Sequence, residues 1–208
     1  MAHRSAIGAR SSRADAGRRA GRRFFDRPAT DVARDLLGAV LTVRSGRTQR
    51  SVRIVETEAY VRNDPASHAF RGPTARNRSM FSSPGTLYVY RIHQVVCANL
   101  VARRAEAVLV RAGAAVGEPS ATASGPGRLC RFLGITHADD GADAVAGDRV
   151  GVRLPRSLPP PVLVGPRIGI RKAVDRPLRF VVVGEPAVSR PRRLPRTAGA
   201  EERSRSGR

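Results

Sequence analysis

Residues 52–60 read Val-Arg-Ile-Val-Glu-Thr-Glu-Ala-Tyr, a run of β-branched and apolar residues that predicts a strand. Side chains of a strand alternate between its two faces, so Glu56, Glu58 and Tyr60 are expected on the same face as the first apolar residues of the run. A buried carboxylate costs free energy unless it is paired. Two interpretations stay open here: ion pairs with arginines at a strand end, or a water-activating base beside an aromatic pocket wall.

Outward from this stretch, the chain is predicted to contain many short strands and few helices. A helix pattern follows Pro28, with Thr30 or Asp31 as its N-cap. It stops at Gly38, and a second short helix is predicted at 126–133. Further strand patterns occur at 39–43, 86–92, 95–101, 107–111, 149–153 and 178–183. Because strands outnumber helices and the connections are short, we expect an α+β domain with mainly antiparallel pairing.

The two strands predicted on either side of His93 and Gln94 are close enough to form a hairpin with these residues at its tip. A two-residue turn favours Gly or Asn because it needs positive φ, so this tip is expected to be looser than usual. Without the hairpin, His93 would be an ordinary exposed loop residue.

All three tyrosines of the chain fall within residues 60–90. Tyr88 and Tyr90 share one strand face, and together with Tyr60 they could wall a single cavity. A planar base held between aromatic faces requires such walls. Packing in the core is the alternative for each tyrosine taken alone.

The loop at 71–81 interleaves polar and cationic donors with Gly and Pro. Its Arg76 and Arg78, with the Asn and Ser beside them, could grip phosphates. The alternative is an ordinary solvated loop.

The chain is strongly basic, with a formal net charge of +21 over 208 residues, and of its 38 basic residues only Lys172 is lysine. Such a charge concentrates phosphate polyanions around a protein, so nucleic acid is the expected partner. Residues 1–23 (seven Arg, one Asp) and 189–208 (seven Arg, two Glu) contain little that is apolar. They are predicted to be disordered basic tails on either side of a folded domain at 24–188.

Several protein classes are disfavoured by the composition. No stretch approaches the ~20 apolar residues of a membrane helix, so no membrane contact is expected. Cys97 and Cys130 with the scattered His residues lack the spacing of a zinc site, and neither metal nor cofactor is expected. We interpret Cys97 and Cys130 as free thiols, with a disulfide as the alternative, and free thiols favour a reducing compartment, here the cytoplasm, or its nucleoid in a prokaryote. An organellar transit peptide is the alternative interpretation of the Arg- and Ser-rich start.

Five segments in order carry a resemblance to a known family. They are Arg53–Tyr60, Thr74–Phe81, Pro84–Tyr90, Ser124–Cys130 and Gly165–Ile170. Over roughly residues 25–190 the chain resembles the 3-methyladenine (alkyladenine) DNA glycosylase family.

The resemblance implies a single mixed domain around a curved antiparallel sheet, with a protruding β-hairpin that enters the minor groove. It implies Glu58 as the general base that orients the attacking water. It places Tyr60, His68 and Tyr90 around a flipped base, and Asn99 where the 2-amino group of guanine is disfavoured. It also places Arg111 near the target phosphate and His93 at the position of the intercalating wedge.

The implied activity is that of a monofunctional DNA glycosylase of base-excision repair. Its partner would be double-stranded DNA containing damaged purines (3-methyladenine, 7-methylguanine, hypoxanthine or ethenoadenine), bound by a monomer. A lyase would need an amine, and Lys172 is far in sequence from the strand and hairpin motifs, so water is the expected nucleophile. The alternatives are a catalytically weak DNA-binding relative and a general Arg-rich nucleic-acid-binding protein.

Three features depart from the family pattern. The hairpin tip continues as Gln94-Val95-Val96 rather than with Gly, and the wedge itself is His93. Residues 112–124 are small and interrupted by Pro, where the family has a longer stretch containing a helix.

Overall fold

The computed structural model describes residues 16–118, 122–156 and 160–190, and within these ranges the chain forms ten strands and three α-helices. The strands are β1 (Ala16–Arg19), β2 (Val40–Ser45), β3 (Thr48–Tyr60), β4 (Leu87–Ile92), β5 (Val95–Val101), β6 (Ala107–Ala115), β7 (Thr122–Ser124), β8 (Val150–Pro155), β9 (Val162–Gly165) and β10 (Arg179–Val182). The helices are α1 (Arg22–Phe25), α2 (Ala29–Asp35) and α3 (Pro126–Leu133), with 3₁₀ turns at Arg78–Phe81 and His137–Asp139.

The strands form one open antiparallel sheet in the order β1-β8-β2-β3-β6-β5-β4. Strand β3 is its centre, because it pairs with β2 and β10 along one edge and with β6 along the other. Strand β10 also pairs with β9, and β7 pairs with β6. The predicted α+β class and antiparallel pairing are confirmed.

Helix α2 covers one face of β3 and fixes which side chains point away from it. Val32 and Ala33 of the helix are fully buried, and the Thr57 hydroxyl donates a hydrogen bond to the Ala33 carbonyl over 2.8 Å. Since side chains alternate along a strand, Glu58 points to the opposite face. That face carries the candidate site.

The predicted N-cap of this helix is wrong. Helix α2 begins at Ala29 with Pro28 in the N-cap position, and neither Thr30 nor Asp31 caps it. The Ala29 N–H instead donates to the buried Glu106 carboxylate over 2.8 Å. A partner distant in sequence therefore takes the place of a local cap.

The predicted tail boundaries are also wrong where the structure describes them. Residues 16–23, expected to be disordered, form β1, which pairs with β8, and the start of α1. Arg19 is exposed, but its guanidinium lies within 3.4 Å of the backbone carbonyls of Ala144 and Val150 and donates to them. At the other end, Ser189 is buried. The other residues assigned to the tails, apart from Arg190, lie outside the described ranges.

The predicted hairpin is confirmed. Ile92 of β4 is paired with Val95 of β5, so His93 and Gln94 form a two-residue connection. His93 has φ +51°, a conformation that costs free energy for a residue with a Cβ. The strain lies at the exposed tip of the molecule.

The short segment at 112–124 does not disrupt the sheet. Its first residues extend β6 to Ala115, and its last three form β7, which folds back onto β6. Gly113 permits this close packing, because a Cβ there would lie 2.6 Å from the Cβ of Val52 on β3. Strands β3 and β6 therefore pack closely at Val52 and Gly113, at the end of their pairing away from Glu58.

Candidate active site

A cavity of about 510 Å³ lies on the face of the sheet opposite α2. We call it the site cavity, and its walls come from β3, the β4–β5 hairpin, β6 and the segments at 65–68 and 168–172. Six residues singled out in the sequence line it together: Tyr60, His68, Tyr90, His93, Asn99 and Arg111. Tyr88 lines it as well, so all three tyrosines of the chain meet here.

One wall of the site cavity is aromatic. The Tyr88 and Tyr90 rings lie 5.5 Å apart between centroids at an interplanar angle of 33°, and His68 lies edge-on at 4.3 Å from Tyr90. His68 Nδ1 is 2.9 Å from the Tyr88 hydroxyl. Burial raises the pKa of both tyrosines, and desolvation of the His68 ring lowers its pKa although its outer edge is exposed. At neutral pH this wall is therefore uncharged, and its π faces are suited to a flat, electron-poor ligand.

Glu58 lies directly beside this cavity with no exposed surface. Its Oε1 accepts a hydrogen bond from the Ile168 backbone N–H over 2.8 Å, and its Oε2 accepts one from the Tyr60 hydroxyl over 3.1 Å. Arg111 Nη1 is 3.4 Å from Oε1. All three partners line the cavity, so the carboxylate that they hold lies directly behind the cavity wall.

The pKa of Glu58 is raised above its ordinary value. Burial is the largest cause, and the neighbouring Glu56 acts in the same direction. The Arg111 cation and the hydrogen bonds from Ile168 and Tyr60 oppose it only in part. A carboxylate with a raised pKa binds a proton more strongly than an ordinary glutamate, which is what a general base acting near neutral pH requires.

Glu56 has a different environment although it lies only two residues away. Its carboxylate accepts hydrogen bonds from Arg179 Nε (2.7 Å) and from the N–H (2.7 Å) and hydroxyl (2.9 Å) of Ser189. Arg111 Nε lies 3.1 Å from the same carboxylate. Glu56 is saturated with protein donors, which matches the ion-paired interpretation. Glu58 has fewer partners, and those partners line the cavity.

Arg111 joins the two carboxylates. The register of β3 against β6 passes from Glu56 opposite Ala112 to Thr57 opposite Val110, so Arg111 is an extra residue bulged out of the ladder. Its side chain is only 12% exposed and contacts both glutamates and the Ser189 hydroxyl. The resemblance implied a phosphate contact for Arg111, whereas its observed partners are the two carboxylates and a hydroxyl group.

Asn99 is held in place on the cavity wall. It is buried, and its Nδ2 donates to the Tyr88 carbonyl of the neighbouring strand over 3.1 Å. Its amide plane is therefore fixed before any ligand arrives.

The loop predicted to grip phosphates is organised by Asn77, which the sequence analysis grouped with the phosphate donors. Asn77 is buried and its Nδ2 donates to the carbonyls of His68 (2.8 Å) and Gly72 (3.0 Å). Arg76 and Arg78 are exposed on the outside of this loop and do not line the site cavity. Asn77 therefore ties this loop to the backbone of His68, while both arginines face outward.

Two residues were missed because their contacts are distant in sequence. Ser189 was assigned to a tail, yet it donates two hydrogen bonds to Glu56. Lys172 was set aside because it is far in sequence from the motifs, yet its exposed side chain lines the site cavity. No local pattern marks either residue.

Residues 16–118, 122–156 and 160–190 contain neither a candidate metal site nor a membrane-spanning helix. No group of three or more His, Cys, Asp and Glu side chains is arranged to hold a metal ion. No helix in these ranges has the length and apolar character needed to cross a membrane.

Comparison with known proteins gives one consistent result. Residues 23–186 match the family described as methylpurine-DNA glycosylase. A relative from Rhizobium johnstonii is 41% identical over 187 residues, covering 82% of this chain and 89% of the relative. One from Mycobacterium sp. (strain KMS) is 45% identical over 190 residues (79% and 90%), and one from Methanoculleus marisnigri is 42% identical over 186 residues (80% and 96%). The names of all three refer to a 3-methyladenine DNA glycosylase.

Removing the charge of Glu58 and removing that of Glu56 are expected to change the stability of the protein in opposite directions. Because the pKa of Glu58 is raised, the folded state binds its proton more tightly than the unfolded chain, and stability falls as pH rises through the window above about 4.5. Glu58→Gln removes this penalty and should raise the Tm at neutral pH, with the gain vanishing below that window. Glu56→Gln leaves Arg179 without its carboxylate and should cost ~3–5 kcal/mol. Thermal melts from pH 4 to pH 8 test this, and a fall in Tm for both variants at pH 7 would contradict it.

Proposed function

This chain belongs to the methylpurine-DNA glycosylase family and is a DNA N-glycosylase, and from that premise we propose how it selects and releases its base. The proposed substrates are alkylated or deaminated purines in duplex DNA, including 3-methyladenine, 7-methylguanine, hypoxanthine and ethenoadenine. The observation that carries the proposal is the placement of the buried, incompletely neutralised Glu58 beside an aromatic cavity.

The damaged nucleotide is proposed to rotate out of the duplex into the site cavity. A base stacked within DNA cannot reach a carboxylate behind a cavity wall, so the base must leave the stack. The uncharged ring faces of Tyr60, Tyr88 and Tyr90 suit a purine, and they attract one that carries the positive charge of N3 or N7 alkylation. The cost of unstacking is lowest for a damaged or poorly paired base, which itself favours lesions.

Glu58 is proposed to activate the attacking water. The water oxygen bonds to C1′ of the sugar, the C1′–N bond breaks with its electron pair going to the purine, and Glu58 accepts the proton from the water. A purine alkylated at N3 or N7 begins as a cation and leaves as a neutral molecule, so it needs no proton donor. Hypoxanthine and ethenoadenine begin neutral and need further assistance in leaving.

Arg111 and Tyr60 are proposed to hold Glu58 in position during this step. Arg111 favours the ionised carboxylate, while Tyr60 and the Ile168 N–H each fix one carboxylate oxygen. A base restrained on both oxygens loses little orientational freedom when it meets the water.

Asn99 is proposed to disfavour undamaged guanine. Its amide is fixed by the Tyr88 carbonyl, so it cannot easily turn away from the 2-amino group of a guanine in the cavity. A purine without that group meets no such conflict.

The DNA-facing surface is proposed to centre on the hairpin tip. His93 is exposed there, with Ile92 (46% exposed) and Val95 (41%) beside it as apolar side chains that could enter the minor groove. The exposed cations of Arg76, Arg78 and Lys172 are proposed to bind phosphates around it. One chain supplies every residue in these roles, so a monomer suffices.

Glu58→Gln is expected to lower base release by ~10²–10⁴-fold, because it removes the proton acceptor and keeps the shape. Binding to lesion-bearing duplex should be nearly unchanged. In the wild type, excision should decline as pH falls, with its midpoint above the ordinary glutamate pKa of 4.5, because only ionised Glu58 accepts the proton. Single-turnover excision against pH measures both effects. Near-normal excision by Glu58→Gln would show that Glu58 is not the general base.

The reaction products are expected to be free base and an intact strand with an abasic site. Lys172 lines the site cavity, so its amine is the group to test as a competing nucleophile. Lys172→Arg keeps the charge and removes imine chemistry, and it should leave single-turnover excision unchanged. A borohydride-trapped adduct and strand nicking in the wild type, both lost in Lys172→Arg, would show that the enzyme also acts as a lyase.

His93→Ala is expected to weaken excision from fully paired duplex much more than excision from a lesion in single-stranded DNA. The wedge fills the gap left by the flipped nucleotide, and no gap needs filling where there is no stack. His93→Tyr should keep or raise duplex activity, because a larger planar ring can still stack. If His93→Ala slows both substrates equally, His93 acts within the pocket and not as a wedge.

A further inference from the structure

We propose that the buried ion pair of Arg167 with Asp64 is a positioning clamp that holds both hydrogen-bond donors of Glu58 in place. Neither residue lines the site cavity, and neither contacts Glu58 in the structure. The inference rests on the proposed role of Glu58 as the general base, and it concerns how that base is oriented.

The pair is fully buried. Both side chains have no exposed surface, and Asp64 Oδ1 accepts a hydrogen bond from Arg167 Nη2 over 3.1 Å while Oδ2 contacts Nη1. Removing two charges from water carries a large desolvation cost, and an ion pair of this kind adds little net stability compared with apolar packing. A contribution to stability therefore does not account for the pair, and its connections indicate a different role.

One arm of the clamp reaches the Tyr60 side of Glu58. Arg167 Nη1 donates to the Ala59 carbonyl over 3.0 Å, which is the backbone group between Glu58 and Tyr60. The guanidinium carbon lies 4.6 Å from the centroid of the Tyr60 ring, in a cation–π contact. Arg167 thus restrains the ring whose hydroxyl donates to Glu58 Oε2.

The other arm reaches the backbone side of Glu58. Ile168 follows Arg167 in the chain, and its N–H donates to Glu58 Oε1 over 2.8 Å. With the Arg167 side chain anchored at Asp64 and Ala59, the next peptide has little freedom to move. Both oxygens of the base are therefore oriented by donors that depend on one guanidinium.

Asp64 fixes a third part of the cavity wall. Its Oδ1 also accepts the Ala66 N–H over 3.0 Å, and its carbonyl accepts the Ser67 N–H over 2.8 Å. This turn leads directly to His68 at the mouth of the site cavity. The clamp therefore connects β3, the 64–68 turn and the 166–170 segment at one point.

Arg167→Lys tests the clamp, because an ammonium group keeps the charge but cannot bond Asp64, the Ala59 carbonyl and the Tyr60 face together. Single-turnover excision on lesion duplex should fall roughly 10- to 100-fold at pH 7, the effect of loosening one hydrogen bond to a charged group. The two donors lower the pKa of Glu58, so loosening them should raise that pKa. The acid limb of the pH–rate profile should then move to higher pH. The deficit should therefore shrink as pH rises, and lesion-duplex binding should be retained.

Asp64→Asn is the milder second variant, since its amide oxygen can still accept from Arg167, and it should shift the same limb in the same direction. Arg149→Lys is the matched control, because Arg149 holds Asp139 (Nε–Oδ1 2.7 Å) and the Gly134 carbonyl away from the site cavity. It should lower Tm without moving the pH profile. A pH-independent loss in Arg167→Lys and Asp64→Asn, or a loss equal to that of the control, would overturn the proposal.

A second measurement separates failure of the clamp from failure of the proposed function. Introducing Glu58→Gln into an Arg167→Lys background should raise Tm more than it does in the wild type, because ionised Glu58 has then lost its donors. This readout needs no excision. If the wild type excises lesions and the gain in Tm is the same in both backgrounds, the clamp is wrong and the proposed function stands.

Discussion

Two carboxylates two residues apart on one buried strand are the constraint on which the rest of this structure depends. Glu56 and Glu58 have no exposed surface, and neither can stay ionised in the core without cations or donors close by. Strand β6 supplies Arg111 through a bulge, and β10 supplies Arg179. The central position of β3 between these two strands is therefore an electrostatic requirement as well as a packing one.

The available donors are divided unequally between the two glutamates, and that inequality produces the candidate site. Glu56 receives Arg179 and both donors of Ser189, which makes it part of the scaffold. Glu58 receives Arg111 at a longer distance and two hydrogen bonds, so burial outweighs its partners and raises its pKa. The same strand thus carries one carboxylate that is fully paired within the protein and one, Glu58, that we propose as the general base.

Local patterns predicted the framework of this site well. Alternation along residues 52–60 placed Glu58 with Tyr60, and the spacing around His93 predicted the hairpin. The clustering of tyrosines predicted the aromatic wall, because residues two apart on a strand share a face. Features of this kind depend on neighbours in sequence, and the sequence carries that information directly.

Contacts between segments distant in sequence could not be predicted from such local patterns. Ser189 lies 133 residues from Glu56, and the Arg-rich start of the chain gave no sign that Arg19 would donate to the backbone carbonyl of Ala144. Lys172 lies next to the 166–170 segment, which Arg167 and Ile168 hydrogen-bond to β3, and no local periodicity indicates that contact. Charge counting treated arginines as solvated, whereas several of them here are structural hydrogen-bond donors.

A crystal structure of Glu58→Gln bound to a duplex containing one 3-methyladenine analogue that resists cleavage tests most directly whether Glu58 faces the flipped nucleotide. We expect a purine rotated out of the helix, lying against the Tyr88 and Tyr90 rings, with its C1′ facing residue 58 and His93 in the vacated stack. A lesion base that stays stacked in the duplex, or that binds away from residue 58, would contradict it.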